Sequence, residues 1–99
     1  MFQWFVRIVG SGEVQGAAAA TRMPALVCRM VKFKAVSSNA GNVYVGLAGV
    51  TKADGTTDTT TGLELGPGEE SGWLPCSNLE DFYGICDNAG DDLTYVAAG

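Results

Sequence analysis

The residues whose chemistry could drive a reaction are carboxylates and thiols, because the chain contains no histidine. Without histidine the Ser-His and Cys-His pairs of nucleophilic catalysis cannot form in their usual way, and the commonest general base is missing. Adjacent carboxylates occur as Glu69-Glu70, Glu80-Asp81 and Asp91-Asp92. Neighbours on a strand point to opposite faces, so none of these pairs is placed for joint acid and base work. We therefore predict solvated turn charges, no catalytic residues and no enzymatic activity.

Two groups of residues in the sequence could ligate a metal. The stretch Asp87-Asn-Ala-Gly-Asp-Asp92 puts several oxygens in one turn, as a Ca²⁺ site requires, but it lacks EF-hand spacing, so turn residues bonding their own backbone are favoured. The cysteines Cys28, Cys76 and Cys86 contain no Cys-x-x-Cys pair. They are predicted to be small buried hydrophobes, with a Cys76–Cys86 bridge left open. The sequence predicts no metal and no cofactor.

Composition indicates which elements must position these groups. The chain has 99 residues, of which 46% are hydrophobic and 17% charged, enough for one modest core. Fourteen Gly against three Pro, with Val, Thr and aromatic residues in short runs, favour strands and turns over long helices. About seven or eight short strands with regular turn signals predict an all-β fold, a single compact β-sandwich that is jelly-roll-like or a small barrel.

Alternation along the chain locates the strands. From Ala25 to Val36 the period is two, with Val27, Arg29, Val31, Phe33 and Ala35 on one face. The turn around Asn39-Ala-Gly41 then predicts a β-hairpin over residues 27–47. Asn88-Ala-Gly90 repeats that turn, and predicts a second hairpin between Phe82-Tyr-Gly-Ile-Cys86 and Leu93-Thr-Tyr-Val-Ala97.

The N-terminal segment is unusually aromatic. Residues 2–9 alternate as a strand, and Gly10-Ser-Gly12 is expected to end it, leaving an irregular connection as far as Thr21. Its aromatic residues either pack in the core of the same chain or dock on a neighbouring copy or partner. Residues 1–18 are accordingly a candidate attachment arm and residues 19–99 the sandwich body. The candidate partner-interface residues are Phe2, Trp4, Phe5, Arg7 and Trp73.

The charge of the chain limits the classes of partner that it can bind. A net charge of −5 argues against binding nucleic acid. Residues 1–50 hold five cations against one carboxylate, whereas residues 51–99 hold one cation against ten. This polarity could orient copies of the chain, or it could vanish if strands from the two halves interleave. No signal peptide or membrane span is predicted, so we expect a product made and kept in the cytoplasm, with no membrane partner.

From about Ala19 to Ala97 the sequence resembles small virion accessory proteins of tailed bacteriophages. The resemblance is a succession of strand and turn cues: Ala20-Thr-Arg-Met-Pro24, Asn39-Ala-Gly-Asn-Val-Tyr-Val-Gly46, Val50-Thr51, Gly62-Leu-Glu-Leu-Gly-Pro-Gly-Glu69, Leu79, Phe82-Tyr-Gly-Ile85 and Leu93-Thr-Tyr95. It implies a compact β-sandwich that serves as an accessory component of a head or tail. Residues 1–18 depart from it.

The resemblance leads to a functional expectation. It implies a non-enzymatic capsid decoration or cement protein, located in the virion, that binds the major capsid protein or another virion subunit and stabilises the shell. Small size and symmetric copies suit that role, and we expect a homo-oligomer, with a trimer favoured by the three-fold sites of icosahedral shells. Two alternatives stay open. One is a tail, baseplate or fibre-head module, and the other is a carbohydrate- or ligand-binding sandwich that uses Trp73, Tyr44 or Tyr83.

Overall fold

The computed structural model describes residues 7–15, 19–52 and 60–99, and these residues form two antiparallel sheets of four strands each. In chain order the strands are β1 (Ile8–Gln15), β2 (Thr21–Arg22), β3 (Met30–Ala35), β4 (Val43–Gly46), β5 (Leu63–Leu65), β6 (Glu70–Pro75), β7 (Tyr83–Cys86) and β8 (Asp92–Ala98). One turn of 3-10 helix, Leu79–Asp81, connects β6 to β7. The prediction of an all-β sandwich is confirmed. Within the described ranges, no helix is long and apolar enough to span a bilayer.

The strand order is that of a jelly roll. The first sheet runs β1-β8-β3-β6 and the second runs β2-β7-β4-β5. The pairs β1 with β8, β2 with β7, β3 with β6 and β4 with β5 are nested, as in one long antiparallel hairpin folded over on itself. That arrangement is an eight-stranded jelly roll, so the structure decides between the two sandwich types that the sequence left open.

Both predicted hairpins are wrong. β3 pairs with β6 and β8, whereas β4 pairs with β5 and β7 in the other sheet. The strands β7 and β8 are likewise in different sheets. The turns at Asn39-Ala-Gly41 and Asn88-Ala-Gly90 do reverse the chain, but they carry it from one sheet to the other. Asn and Gly permit a tight reversal and leave open whether the next strand pairs alongside or packs across the core.

The core lies between the two sheets. Val31, Phe33 and Ala35 are fully buried, as their alternation predicted. The alternation fails at the start of the predicted strand, because the chain bends at Arg29, which is exposed while Cys28 is buried. The rest of the buried cluster comes from both sheets and their connections: Met23, Val43, Val45, Leu65, Leu79, Cys86, Leu93 and Ala97.

The predicted break at Gly10-Ser-Gly12 is wrong, because β1 continues through these residues to Gln15 and pairs with β8. A Cβ on Gly10 would stand 2.7 Å from the Leu26 side chain, and one on Gly12 would stand 2.8 Å from the Tyr95 hydroxyl. The two glycines therefore let the Leu26 and Tyr95 side chains lie close against a strand rather than making a turn. Residues 8–15 of the candidate arm thus form an edge strand of the sandwich.

Candidate functional site: the apolar end of the sandwich

The two ends of the sandwich differ in chemistry. Neighbouring strands are antiparallel. The odd-numbered strands therefore all begin at one end of the sandwich, and the even-numbered strands all finish at that same end. Ile8 pairs with Ala98 there, and Met30 pairs with both Ala98 and Pro75. We call this the apolar end, and we call the opposite end, where the connections 36–42, 66–69 and 87–91 lie, the acidic end.

Exposed apolar side chains gather at the apolar end. Val27 is 76% exposed and Leu47 is 66% exposed, and both lie in connections at this end. Ile8, Val9 and Leu63 are exposed as well, at the first residues of β1 and β5. Isolated surface apolar residues are ordinary, but several at one end of a small domain make that end a candidate contact surface.

A groove with a volume of about 370 Å³ opens at the same end, between β4 and β5 of one sheet and β6 of the other. Its walls are Val45, Gly46, Leu47, Thr61, Gly62, Leu63, Leu74 and Pro75, and Phe82 completes the lining. The Phe82 ring meets the buried Phe33 ring edge-on, with centroids 5.3 Å apart. The groove is therefore mostly apolar and is anchored to the core, which suits an apolar or aromatic occupant.

Cations accompany the apolar surface. Arg7, Arg22 and Arg29 are exposed and belong to this end. Arg22 is held in place, since its Nε donates to the Glu80 carbonyl at 2.9 Å and its guanidinium lies 5.9 Å from the centre of the Tyr83 ring. These groups would favour a partner surface of negative potential.

Carboxylates collect at the acidic end, where Glu69, Glu70, Asp87, Asp91 and Asp92 lie in or beside the connections. Strands from both halves of the sequence interleave in both sheets, which is the arrangement that could have cancelled the charge difference between the halves. Most carboxylates nevertheless gather at this end, whereas Glu80 and Asp81, in the connection from β6 to β7, lie at the apolar end with the arginines. The chain is electrically polar along its strand direction.

Comparisons with protein-family models, curated proteins and solved structures found no match for this chain. The jelly roll and the geometry of its two ends are thus what bear on function. The resemblance to virion accessory proteins stays a prediction.

Asp91 is a structural residue rather than a solvated one. The prediction of solvated turn charges is wrong here, because Asp91 is only 6% exposed. Its two carboxylate oxygens accept the backbone N–H groups of Ala40 and Gly41, each at 3.0 Å. The two similar turns thus lie against each other, and one carboxylate fastens them together.

Asp87 completes this fastening. Its carboxylate accepts the Asn42 N–H at 3.1 Å and the Tyr44 hydroxyl at 3.0 Å. The carboxylates of Asp87 and Asp91, which were considered for Ca²⁺, therefore already accept hydrogen bonds. The expectation that they bond the backbone of their own turn is wrong for these contacts, because the donors belong to residues 40–44. Among the described residues, no group of three or more acidic or cysteine side chains is placed to hold a metal ion.

The three cysteines are free thiols, with Cys28 and Cys86 buried and Cys76 half-buried. The Cys76–Cys86 bridge that the spacing left open is not formed, because Cys76 follows β6 at the apolar end and Cys86 finishes β7 at the acidic end. Burial raises the pKa of the Cys76 thiol to about 12, with a further contribution from a hydrogen bond to Cys28. Burial also raises the pKa of Cys86 to about 11, so both stay protonated near neutral pH.

The aromatic residues considered for sugar binding do not make one platform. Tyr44 is 1% exposed and packs with Val50 and Ile85, so its ring is not available to a sugar. Tyr83 belongs to β7 in the second sheet, whereas Trp73 belongs to β6 in the first. The Trp73 ring is 44% exposed and lies 5.4 Å from the Lys32 ammonium, which also pairs with Glu70 at 3.5 Å.

The structure separates the predicted interface residues. Phe2, Trp4 and Phe5 lie outside the described residues. Arg7 precedes β1 and Trp73 is in β6, which are opposite edges of the first sheet. Sequence reasoning missed Leu47 and Leu63, which carry no periodic signal of exposure. It also missed Val27, because the alternation put Val27 on the face of the buried Val31 and Phe33.

Alkaline pH should destabilise the fold through the Tyr44 phenol. Burial, followed by the hydrogen bond to Asp87, raises its pKa from 10.0 to about 12. The folded state therefore holds this proton more tightly than the unfolded state, so the stabilisation is complete below pH 10.0 and is lost as pH rises toward 12. We expect the stability advantage over Tyr44→Phe to shrink by up to about 1.4 kcal/mol per pH unit in that window.

Urea denaturation at pH 8, 10 and 11 measures this advantage. A constant difference between the two proteins across the series would contradict the role given to Tyr44. Cys76 and Cys86 add a similar pH dependence to both proteins, because their pKa values are raised too, so they cancel in the comparison.

Proposed function

We propose that this chain is a non-enzymatic structural protein of a bacteriophage virion, a decoration or cement protein that binds the outer shell through its apolar end and stabilises the shell. The observation that carries the proposal is the collection of exposed apolar side chains at one end, beside an apolar groove. Covering this end with a larger subunit would remove apolar surface from water, at about 25 cal/mol for each Å².

The fold and the charge distribution support the same role. Jelly rolls are frequent in viral capsid and lectin domains, although a fold alone does not choose a function. Arg7, Arg22 and Arg29 beside the apolar surface would orient the end toward a shell surface of negative potential. With many copies on a symmetric shell, contacts that are weak singly become strong when several are engaged together.

Shell binding can be tested with capsids that lack the protein. We expect the wild-type chain to bind them and to raise their resistance to heat. Leu47→Asp places a charge in the apolar end at an exposed position, so it should lower shell affinity at least tenfold without unfolding the domain.

The matched control is Ser38→Asp, which adds the same charge at an exposed position of the acidic end. It should bind shells as the wild type does. Failure of the wild type to bind, or equal binding by the two variants, would refute the proposal. Copy number separates shell from tail: on the order of hundreds of copies per particle would indicate the shell, and a handful would indicate the tail.

A further inference from the structure

We propose that the groove at the apolar end holds the N-terminal segment, residues 1–6, of a second copy of this chain. The segment reads Met1-Phe-Gln-Trp-Phe-Val6, so five of its six residues are apolar and three are aromatic. Such residues are the usual anchors of interfaces. In the groove these residues would contact Leu47, Leu63 and Phe82.

The point of attachment puts the segment at the correct end. The Arg7 carbonyl accepts the Gly99 N–H at 2.9 Å, which extends the pairing of β1 with β8 beyond Ile8. The chain at Arg7 therefore still follows the strand direction at the apolar end. Residues 1–6 begin where the exposed apolar side chains are.

The length of the N-terminal segment favours the groove of a neighbouring copy over the groove of its own chain. β1 and β6 are opposite edges of the first sheet, three strand spacings or about 14 Å apart. Six extended residues span at most about 20 Å, so crossing the end would use about four of them. Only the first one or two residues could then enter the chain's own groove. The groove of a second copy lying beside this one can receive all three aromatic residues and leaves the apolar ends of both copies free to meet a shell.

The loop between β4 and β5 is a poorer occupant. Its residues 53–59, Ala-Asp-Gly-Thr-Thr-Asp-Thr, contain no large apolar side chain. Placing two carboxylates and three threonines against apolar walls would cost desolvation without recovering much apolar burial. The N-terminal segment matches the chemistry of the groove and the loop does not.

The test uses purified full-length protein and its mass in solution by sedimentation, from about 1 to 100 µM, the range of transient self-association. We expect the wild type to associate, and Trp4→Ala and Leu63→Arg each to raise the dissociation constant at least tenfold. Leu63 is exposed, so its replacement should leave the circular dichroism spectrum unchanged. Ser38→Arg adds the same charge at the acidic end, and its mass should match the wild type.

Mixing the two weakened variants identifies the occupant. The intact segment of the Leu63→Arg chain can enter the intact groove of the Trp4→Ala chain, so the mixture should associate more tightly than either variant alone. A wild type that stays monomeric, a Leu63→Arg protein that associates normally, or a mixture no tighter than its components would each overturn the inference. No shells are present, so this outcome is independent of the shell-binding test.

Discussion

Replacing Asp91 by Ala should lower the free energy of unfolding by about 3 kcal/mol, a large share of what a domain of this size possesses. The substitution leaves the backbone N–H groups of Ala40 and Gly41 without their acceptor in a part-buried turn. Hydrogen bonds to a charged acceptor are worth more than neutral ones, and both are lost together.

Asp92→Ala is the matched control, because it removes a carboxylate from the next residue. Asp92 is half-buried and bonds Asn39 through its backbone N–H and C=O, which the substitution retains. We expect a change below about 1 kcal/mol for this variant in urea denaturation. Equal effects of the two substitutions would show that the turns are not held by the Asp91 carboxylate.

Phe33→Ala should have the largest effect on stability, about 3–5 kcal/mol. Phe33 is fully buried in the middle of β3, and its ring supports the Phe82 ring that lines the groove. Truncation removes apolar contacts from both sheets and leaves a cavity in the densely packed interior.

Phe33→Leu keeps most of that volume and should cost about 1 kcal/mol in the same measurement. Both variants test whether the groove depends on the core. If Phe82 is held by Phe33, the Ala variant should also associate and bind shells less well at temperatures where it is still folded. Unchanged stability of Phe33→Ala would contradict the burial of the Phe33 ring in the core.

The two ends of the molecule differ in what their residues do. At the acidic end, Asp87 and Asp91 fasten the turn at residues 40–42 to the turn at residues 87–91, and so hold the two sheets together. A Cβ on Gly41 would stand 2.6 Å from the Asn88 amide, which shows how closely the turns approach. The apolar end is the one that we propose as the partner surface.

The sequence alone determined the all-β class, and it determined which face of β3 points into the core. Alternation of apolar residues is a local property, and it placed Val31, Phe33 and Ala35 in the core. Turn composition is equally local, and it located the chain reversals at Asn39-Ala-Gly41 and Asn88-Ala-Gly90.

Only the tertiary structure decided which strands pair. Ile8 lies beside Ala98, and Val43 lies beside both Leu65 and Cys86, although the turns favoured local hairpins. Pairing across such separations depends on how two apolar sheets cover each other, and a local pattern does not carry that information. Burial of Asp91 and exposure of Leu47 follow from the same packing, because a residue's surroundings depend on which distant strands arrive beside it.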